Sequence, residues 1–306
     1  MTPRTPYTLA LPGGRTLALG VRTLVMGIVN VTPDSFADGG EFLDPGRAAD
    51  RALALEAAGA DLLDIGGEST RPGAEPVPVR EEMRRVLPVL DRLDGRAGVP
   101  VSVDTYKEEV AQAALDHGAA MINDISGLAA GPALATVAAG AGAPLLLMHN
   151  RGGSRDMYQQ AAYRDAGAEV VAELGAVVDR ALAAGVPREQ IVIDPGLGFA
   201  KRADATLAVL ADLPSLRSLD RPILVGPSRK SFLSAALGPR HPGDREWGTA
   251  AAVAAAVWLG AHIVRVHRVD AQVDVVRVAD ALRAAASGAG REEAESAAAS
   301  AIGARS

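Results

Sequence analysis

Eight times along this chain a continuous apolar run is followed by a stretch with helical character, and that alternation constrains the fold more than any other feature. The runs are "LVMGIVNV", "DLLDIGG", "VPVSVDT", "MINDIS", "PLLLMH", "IVIDPG", "PILVGPS" and "HIVRVH". They are apolar on successive residues, not on alternate ones. Strands of that kind are buried on both faces, as in a parallel sheet covered by helices. The helical stretches between them are "DPGRAADRALALEAAG", "PVREEMRRVLPVLDRL", "KEEVAQAALDHG", "GPALATVAAGAG" and the segments 166–184, 203–213, 245–259 and 271–287. Gly59 stops the first of these, and Asp44 before Pro45 has the character of an N-cap followed by a proline at the first helical position. Eight β–α units over roughly 260 residues match the count and size of a (β/α)8 TIM barrel. An open doubly wound sheet is the competing arrangement, since strand count alone does not prove closure. No G-x-G-x-x-G follows the first run, which weakens a dinucleotide fold.

The rest of the chain is organised around that barrel. "YTLALPGGRTLALG" reads as a short N-terminal β-hairpin turning at Gly13-Gly14. The expected domains are therefore a hairpin in 1–24, a barrel in 25–287 and a disordered tail in 288–306, where "GAGREEAESAAASAIGARS" is small, polar and poor in large apolar residues. The apolar share of 48% supports a sizeable core, while aromatics make up only 3%. Net charge is −6 without a lysine or arginine block, which argues against a nucleic-acid partner. Cysteine is absent, so disulfides, thiolate catalysis and zinc–sulfur sites are excluded. No run reaches the ~18 apolar residues of a membrane span. The expectation is a soluble cytoplasmic protein that does not engage a membrane.

Polar residues fall where these runs end. The eight ends carry, in order, Asn30, then Asp64, Asp104-Thr105, Asn123-Asp124, His149-Asn150, Asp194, Ser228-Arg229-Lys230, and Arg265 with His267. In a (β/α)8 barrel all eight C-terminal ends face one mouth, so residues 200 apart in sequence converge there. Helix capping or turn closure explains any one such position. It does not explain eight of eight, because caps have no need of Lys, Arg and His. Asp104, Asn123 and Asp194 are short acceptor-rich groups inside apolar runs, costly unless partnered. They read as a slot for a flat heterocycle with several N–H donors. Lys230, Arg265 and His267 read as an anion site at the last two strands. A lone histidine at a strand end is as often structural as catalytic, and His149 stays outside the candidate set. Two long polar loops, "TPDSFADGGE" and "ESTRPGAEPV", carry Phe36 and Arg71, side chains that a plain turn does not require.

Taken in order, "GIVNVTPDSFADGG", "DIGGESTRPGAEPV", "SVDT", "INDISG", "DPGLGF", "GPSRKSF" and "RVH" resemble the motif set of the dihydropteroate synthase family across residues 25–282. The resemblance implies an enzyme of folate synthesis that condenses p-aminobenzoate with a dihydropterin-6-ylmethyl diphosphate. Asp104, Lys230, Arg265 and His267 would be its catalytic residues. It implies a pterin slot of Asp104, Asn123, Asp194 and Lys230, and a diphosphate site involving Asn30, Thr70, Arg265 and His267. Asn30 would also touch Mg²⁺. Ser231, Phe36 and Pro72 would enclose the p-aminobenzoate, with Asp34, Ser69 and Arg71 in the same loops. A homodimer is implied as well. Arg268 departs from the family pattern, which has an Asp after the His of "RVH". A pterin-binding methyltransferase domain and a catalytically inactive pterin-binding paralogue are the alternatives. The segment after Asn30 is expected to be a lid, among the most mobile parts of the unliganded protein.

Overall fold

A computed structural model describes residues 2–32, 44–69, 73–153 and 157–287. Two strands, β1 (Tyr7–Ala10) and β2 (Thr16–Leu19), form the antiparallel hairpin, with Tyr7 opposite Leu19 and Ala10 opposite Thr16. Eight more strands follow: β3 (Leu24–Asn30), β4 (Leu62–Gly66), β5 (Val101–Asp104), β6 (Met121–Asp124), β7 (Leu145–Met148), β8 (Ile191–Asp194), β9 (Leu224–Val225) and β10 (Ile263–Val266). All pair in parallel, in the order β8-β7-β6-β5-β4-β3-β10-β9. A parallel bridge between Ile193 and Ile223 joins the two ends of that order. The sheet thus closes on itself, and the open-sheet alternative is set aside. The joint is its weakest seam. Strand β9 has two residues, flanked by Pro222 and Pro227, and proline cannot donate to a ladder.

Helices cover the outside. Helix α1 (Pro45–Ala57) opens with Asp44, whose carboxylate accepts the N–H groups of Gly46 (2.7 Å) and Arg47 (3.0 Å), with Pro45 at the first position. The expected cap is therefore present. The others are α2 (Val79–Leu93), α3 (Glu108–Asp116), α4 (Ala133–Gly140), α5 (Ala166–Ala183), α6 (Ala203–Ala211), the one-turn α7 (Ser234–Leu237), α8 (Glu246–Leu259) and α9 (Val269–Ser287). Helix α6 stops at Ala211, short of the expected boundary, because Pro214 lacks an N–H and the chain tightens into a 3-10 run over Leu213–Leu219. Helix α9 starts two residues earlier than expected, with Asp270 in its first turn.

The strands do alternate, but across two apolar environments. Outward residues such as Val25, Val29, Leu63, Ile65, Val103, Ile122, Leu147, Ile193 and Val264 form one core with the helices. Inward residues at the N-terminal end, Leu24, Met26, Leu62, Met121, Leu146, Val192, Leu224 and Ile263, form a second core. Leu9, Leu11 and Leu19 of the hairpin complete this second core. The hairpin is therefore the floor of the barrel, which is why three of its leucines are buried in so short an element.

Candidate active site

Two residues beyond the floor, the inward positions change character. Leu62 is followed by Asp64, Ser102 by Asp104, Met121 by Asn123, Val192 by Asp194 and Ile263 by Arg265. Strand register places these polar groups together at the C-terminal end. Asn30 is level with Gly66, Gly66 with Asp104, and Asp104 with Asn123. A cavity of about 320 Å³ opens above them. Its walls include Asn30, Asp104, Lys230, Ser231, Arg265 and His267. With Ser69, which also lines it, seven of the sequence-predicted residues are thus brought to the cavity. Asn123 and Asp194 do not line it and are buried, 4% and 7% exposed. Asp34, Phe36, Thr70, Arg71 and Pro72 lie outside the described residues, as do the expected lid and the tail.

Arg265 lines this cavity and binds two acids. Its Nε donates to Asp64 Oδ2 at 2.6 Å and one terminal nitrogen donates to Asp104 Oδ2 at 2.9 Å. Burial opposes the guanidinium charge, but Asp64 and Asp104 outweigh it and the group stays cationic. Asn123 Nδ2 donates to the same Asp64 Oδ2 at 3.0 Å. Burial pushes the Asp104 carboxyl up to about 7, against Arg265 and with Asp64 adding to the shift. Burial likewise raises the Asp194 carboxyl, which accepts the Gly196 N–H at 2.7 Å. Burial lowers the Lys230 ammonium to about 7, with Asp194 opposing. The Lys230 Nζ stands 3.6 Å from the centroid of the Phe199 ring. A carboxyl and an amine poised near neutrality in one cavity are the mark of a functional site.

The anion side is built by hydroxyl–imidazole contacts. Ser228 Oγ accepts the His267 backbone N–H at 3.2 Å and lies 2.9 Å from its Nδ1. In the tautomer whose Nδ1 accepts the hydroxyl proton, Nε2–H is the donating edge of the ring. Arg229, also in the cavity lining, is paired with Glu246. Arg268 is exposed and pairs with Asp270 at 2.7 Å, outside the cavity walls.

Other strand-end residues turn out to be structural. Asp124 accepts N–H bonds from Ser126 (2.8 Å) and Leu128 (2.6 Å), closing a turn. Buried His149 sits between Lys201 Nζ, 2.7 Å from its Nδ1, and Glu173, 2.9 Å from its Nε2. Burial holds its pKa down at about 4. Lys201 also donates to the carbonyls of Gly196 and Phe199, each at 3.0 Å, and so shapes the loop that carries Phe199. That loop needs glycine at 196. Its φ is +65°, and a Cβ there would come within 2.1 Å of the His149 carbonyl oxygen.

In the sequence alone Asp64 is one strand end among eight, and Ser228, Lys201 and Glu68 have no assigned role. Glu68 lines the cavity and accepts from Tyr106 (2.7 Å), Lys107 (2.5 Å) and the Val77 N–H (2.9 Å), pinning both ends of the loop it begins. A legible signal existed for Asp64: it is an acid in mid-run, spaced by two from Gly66, with the inward parity of the other polar residues.

The donor set was tested against the implied Mg²⁺. Among the described residues no three His, Asp or Glu side chains cluster to hold a metal. Asn30 offers one neutral oxygen at the cavity wall, opposite Gly66, where a Cβ would lie only 3.8 Å from it. One neutral protein oxygen facing a residue without a side chain fits an ion that keeps its waters and takes the remaining ligands from a bound diphosphate.

Comparison with known proteins agrees with this geometry. A family model described as pterin binding enzyme matches residues 26–267. The dihydropteroate synthase of Synechocystis sp. is 48% identical over 273 residues, covering 89% of this chain and 94% of its own. That of Bacillus subtilis is 44% identical, covering 85% and 89%. Among solved structures, the Xanthomonas albilineans dihydropteroate synthase with 4-aminobenzoic acid superposes with a TM-score of 0.84 at 44% identity, over 92% of this chain and 99% of that one. The Burkholderia cenocepacia enzyme complexed with 7,8-dihydropteroate gives 0.81 at 42%, over 92% and 98%. A polar barrel mouth of this composition, matched in sequence along nearly its whole length, means that the chain belongs to the pterin binding enzyme family and, within it, to the dihydropteroate synthases, transferases of folate synthesis.

Proposed function

We propose that the mouth divides into a pterin slot and a diphosphate site, and that the chain there joins the amine of p-aminobenzoate to the exocyclic CH₂ of a dihydropterin, releasing diphosphate. The observation that carries this division is the arrangement of charge around the cavity. Carboxylate and amide acceptors lie at the ends of β5, β6 and β8 (Asp104, Asn123, Asp194), and donors come from β10 and the residue after it (Arg265, His267); the two sets meet where Arg265 bonds Asp104, with Lys230 over the Phe199 ring. Asp194 accepts paired N–H donors from the amino-pyrimidinone edge, as a carboxylate can and a ring carbonyl cannot. Asn123 contributes a further acceptor. Slot and loops hold the pterin carbon and the amine in reacting geometry, and positioning supplies much of the rate. Charge grows on the bridging oxygen as the C–O bond stretches, and the Arg265 guanidinium and His267 Nε2–H stabilise it. Mg²⁺, held through Asn30, supplies further charge neutralisation at the diphosphate when bound. The amine is itself the nucleophile, so no covalent enzyme intermediate is required, and its proton passes to the released diphosphate or to solvent once the C–N bond forms. Thr70 belongs to the diphosphate site, and Phe36 and Pro72, with Ser231 and with Asp34 and Arg71 in the same loops, enclose the p-aminobenzoate in this scheme.

The deciding experiment is to incubate the protein with the pterin diphosphate, p-aminobenzoate and Mg²⁺ and assay for dihydropteroate and diphosphate. Pterin binding without product refutes the catalytic reading and leaves a binding paralogue. Phe36→Ala is expected to raise the KM for p-aminobenzoate more than that for the pterin; equal changes would remove Phe36 from that side. Arg268 does not favour the inactive paralogue, because its surface ion pair lies off the cavity. We also read the protein as a cytoplasmic homodimer. The exposed apolar side chains Trp258, Val278 and Leu282 of α8 and α9 support association, and sedimentation would test it. Among the described residues no helix is long and apolar enough to cross a membrane.

A further inference from the structure

Asp64 is fully buried and does not itself line the cavity. Both its hydrogen-bonded partners are site residues, and both reach the same oxygen. Oδ2 takes Asn123 Nδ2 at 3.0 Å and Arg265 Nε at 2.6 Å. The other oxygen, Oδ1, is buried without a hydrogen bond. An arrangement built for stability would satisfy both oxygens, and buried ion pairs as a class are often no better than apolar replacements. What this one determines is orientation. A carboxylate only accepts, so the Asn123 amide must present its NH₂ to Asp64 and turn its carbonyl the other way. The same acceptor occupies Arg265 Nε, so the guanidinium is held by Asp64 through Nε and by Asp104 through a terminal nitrogen.

We propose that Asp64 is a positioning residue of the pterin slot, locking Asn123 with its carbonyl toward the mouth and aligning Arg265 beneath the diphosphate side. This rests on the pterin reading of the mouth. It makes the slot selective at Asn123, which then meets ring N–H donors and disfavours a heterocycle with an acceptor at that place. Without Asp64 the amide is free to rotate, and half its orientations put a donor against a donor.

The test is Asp64→Asn, which keeps the shape and removes the charge. Wild type is measured first by calorimetry with the pterin diphosphate and by turnover. A wild type that neither binds nor turns over breaks the functional reading and says nothing against the Asp64 contact. If wild type is active, the variant is expected to bind the pterin diphosphate about 10- to 100-fold more weakly, the range for a lost charge-assisted bond and an unpaired buried group. The KM for p-aminobenzoate should be unchanged. Equal losses for both substrates, or undiminished pterin affinity in a folded variant, overturn the proposal. A double-mutant cycle with Asn123→Ala adds a readout that a purely structural role would not move: the two losses should be less than additive. Should Asp64→Asn fail to fold, the wild type serves by NMR. The Asn123 side-chain amide protons should exchange slowly with solvent, with or without pterin. Exchange at the rate of an exposed asparagine overturns the contact.

Discussion

The two ends of the barrel are made from the same strands, separated by a step of two residues. At the N-terminal end the inward positions are Leu24, Met26, Leu62, Met121, Leu146, Val192, Leu224 and Ile263, sealed by leucines of the hairpin. At the C-terminal end the next inward positions include Asp64, Asp104, Asn123, Asp194 and Arg265. The first set releases free energy by leaving water. The second set costs free energy to bury and holds its place through mutual hydrogen bonds. Stability and function are therefore separated along the strand direction, and substitutions at the two ends should fail in different ways.

The largest effect is expected at the floor. Leu19→Ala removes a side chain that is 1% exposed in the apolar plug, and should lower stability by about 2–5 kcal/mol while leaving the KM values unchanged. Denaturant unfolding with kinetics on the folded fraction checks both halves. A loss of substrate affinity at unchanged stability would break the division between the ends. Next is Asp194→Asn at the mouth, expected to weaken pterin binding about 100-fold through loss of a paired charged acceptor, without lowering the melting temperature. Burial disfavours the Asp194 carboxylate, so a neutral amide is no burden to the fold. Unchanged affinity by calorimetry would remove Asp194 from the slot.

A pH experiment sharpens the contrast at the floor side. His262 accepts the Ile223 N–H through Nδ1 at 3.1 Å, and its Nε2 lies 3.1 Å from the Thr5 carbonyl oxygen, so it ties the entry to the hairpin to the barrel seam. Burial lowers its pKa to about 4 from 6.5. The unfolded chain takes up a proton in that window and the folded protein does not, so stability is full above 6.5 and is lost as pH falls toward 4. His262→Gln should lose about 2 kcal/mol less than wild type between those pH values, measured by urea unfolding. Parallel pH profiles would refute the neutral buried imidazole. The smallest effect is expected for Arg268→Asp, which restores the family's acid. Because Arg268 is exposed and engaged with Asp270, turnover should stay within about twofold. A larger change would move this position into the functional end.

Much of this was legible before any coordinates. Continuous apolar runs, eight in number and separated by helices, determined a covered parallel sheet, because only burial on both faces tolerates such runs. Polar residues at every run's end marked the mouth, and Asp44 announced its cap. Tertiary structure decided which of those ends were functional. Asp124 and His149 look no different from Asn123 and Asp194 in sequence, but parity along the strand sends Asp124 to a turn, and Lys201 with Glu173 claims His149. Closure, too, was a tertiary matter, hanging on a bridge at Ile193 and Ile223 between segments with no local signal of partnership. The hairpin's task as a floor depended on eight strands leaving a hole of the right size for its leucines. Local pattern reports which groups are costly to bury; only the assembled barrel reports which neighbour, 59 or 201 residues away, makes each burial tolerable.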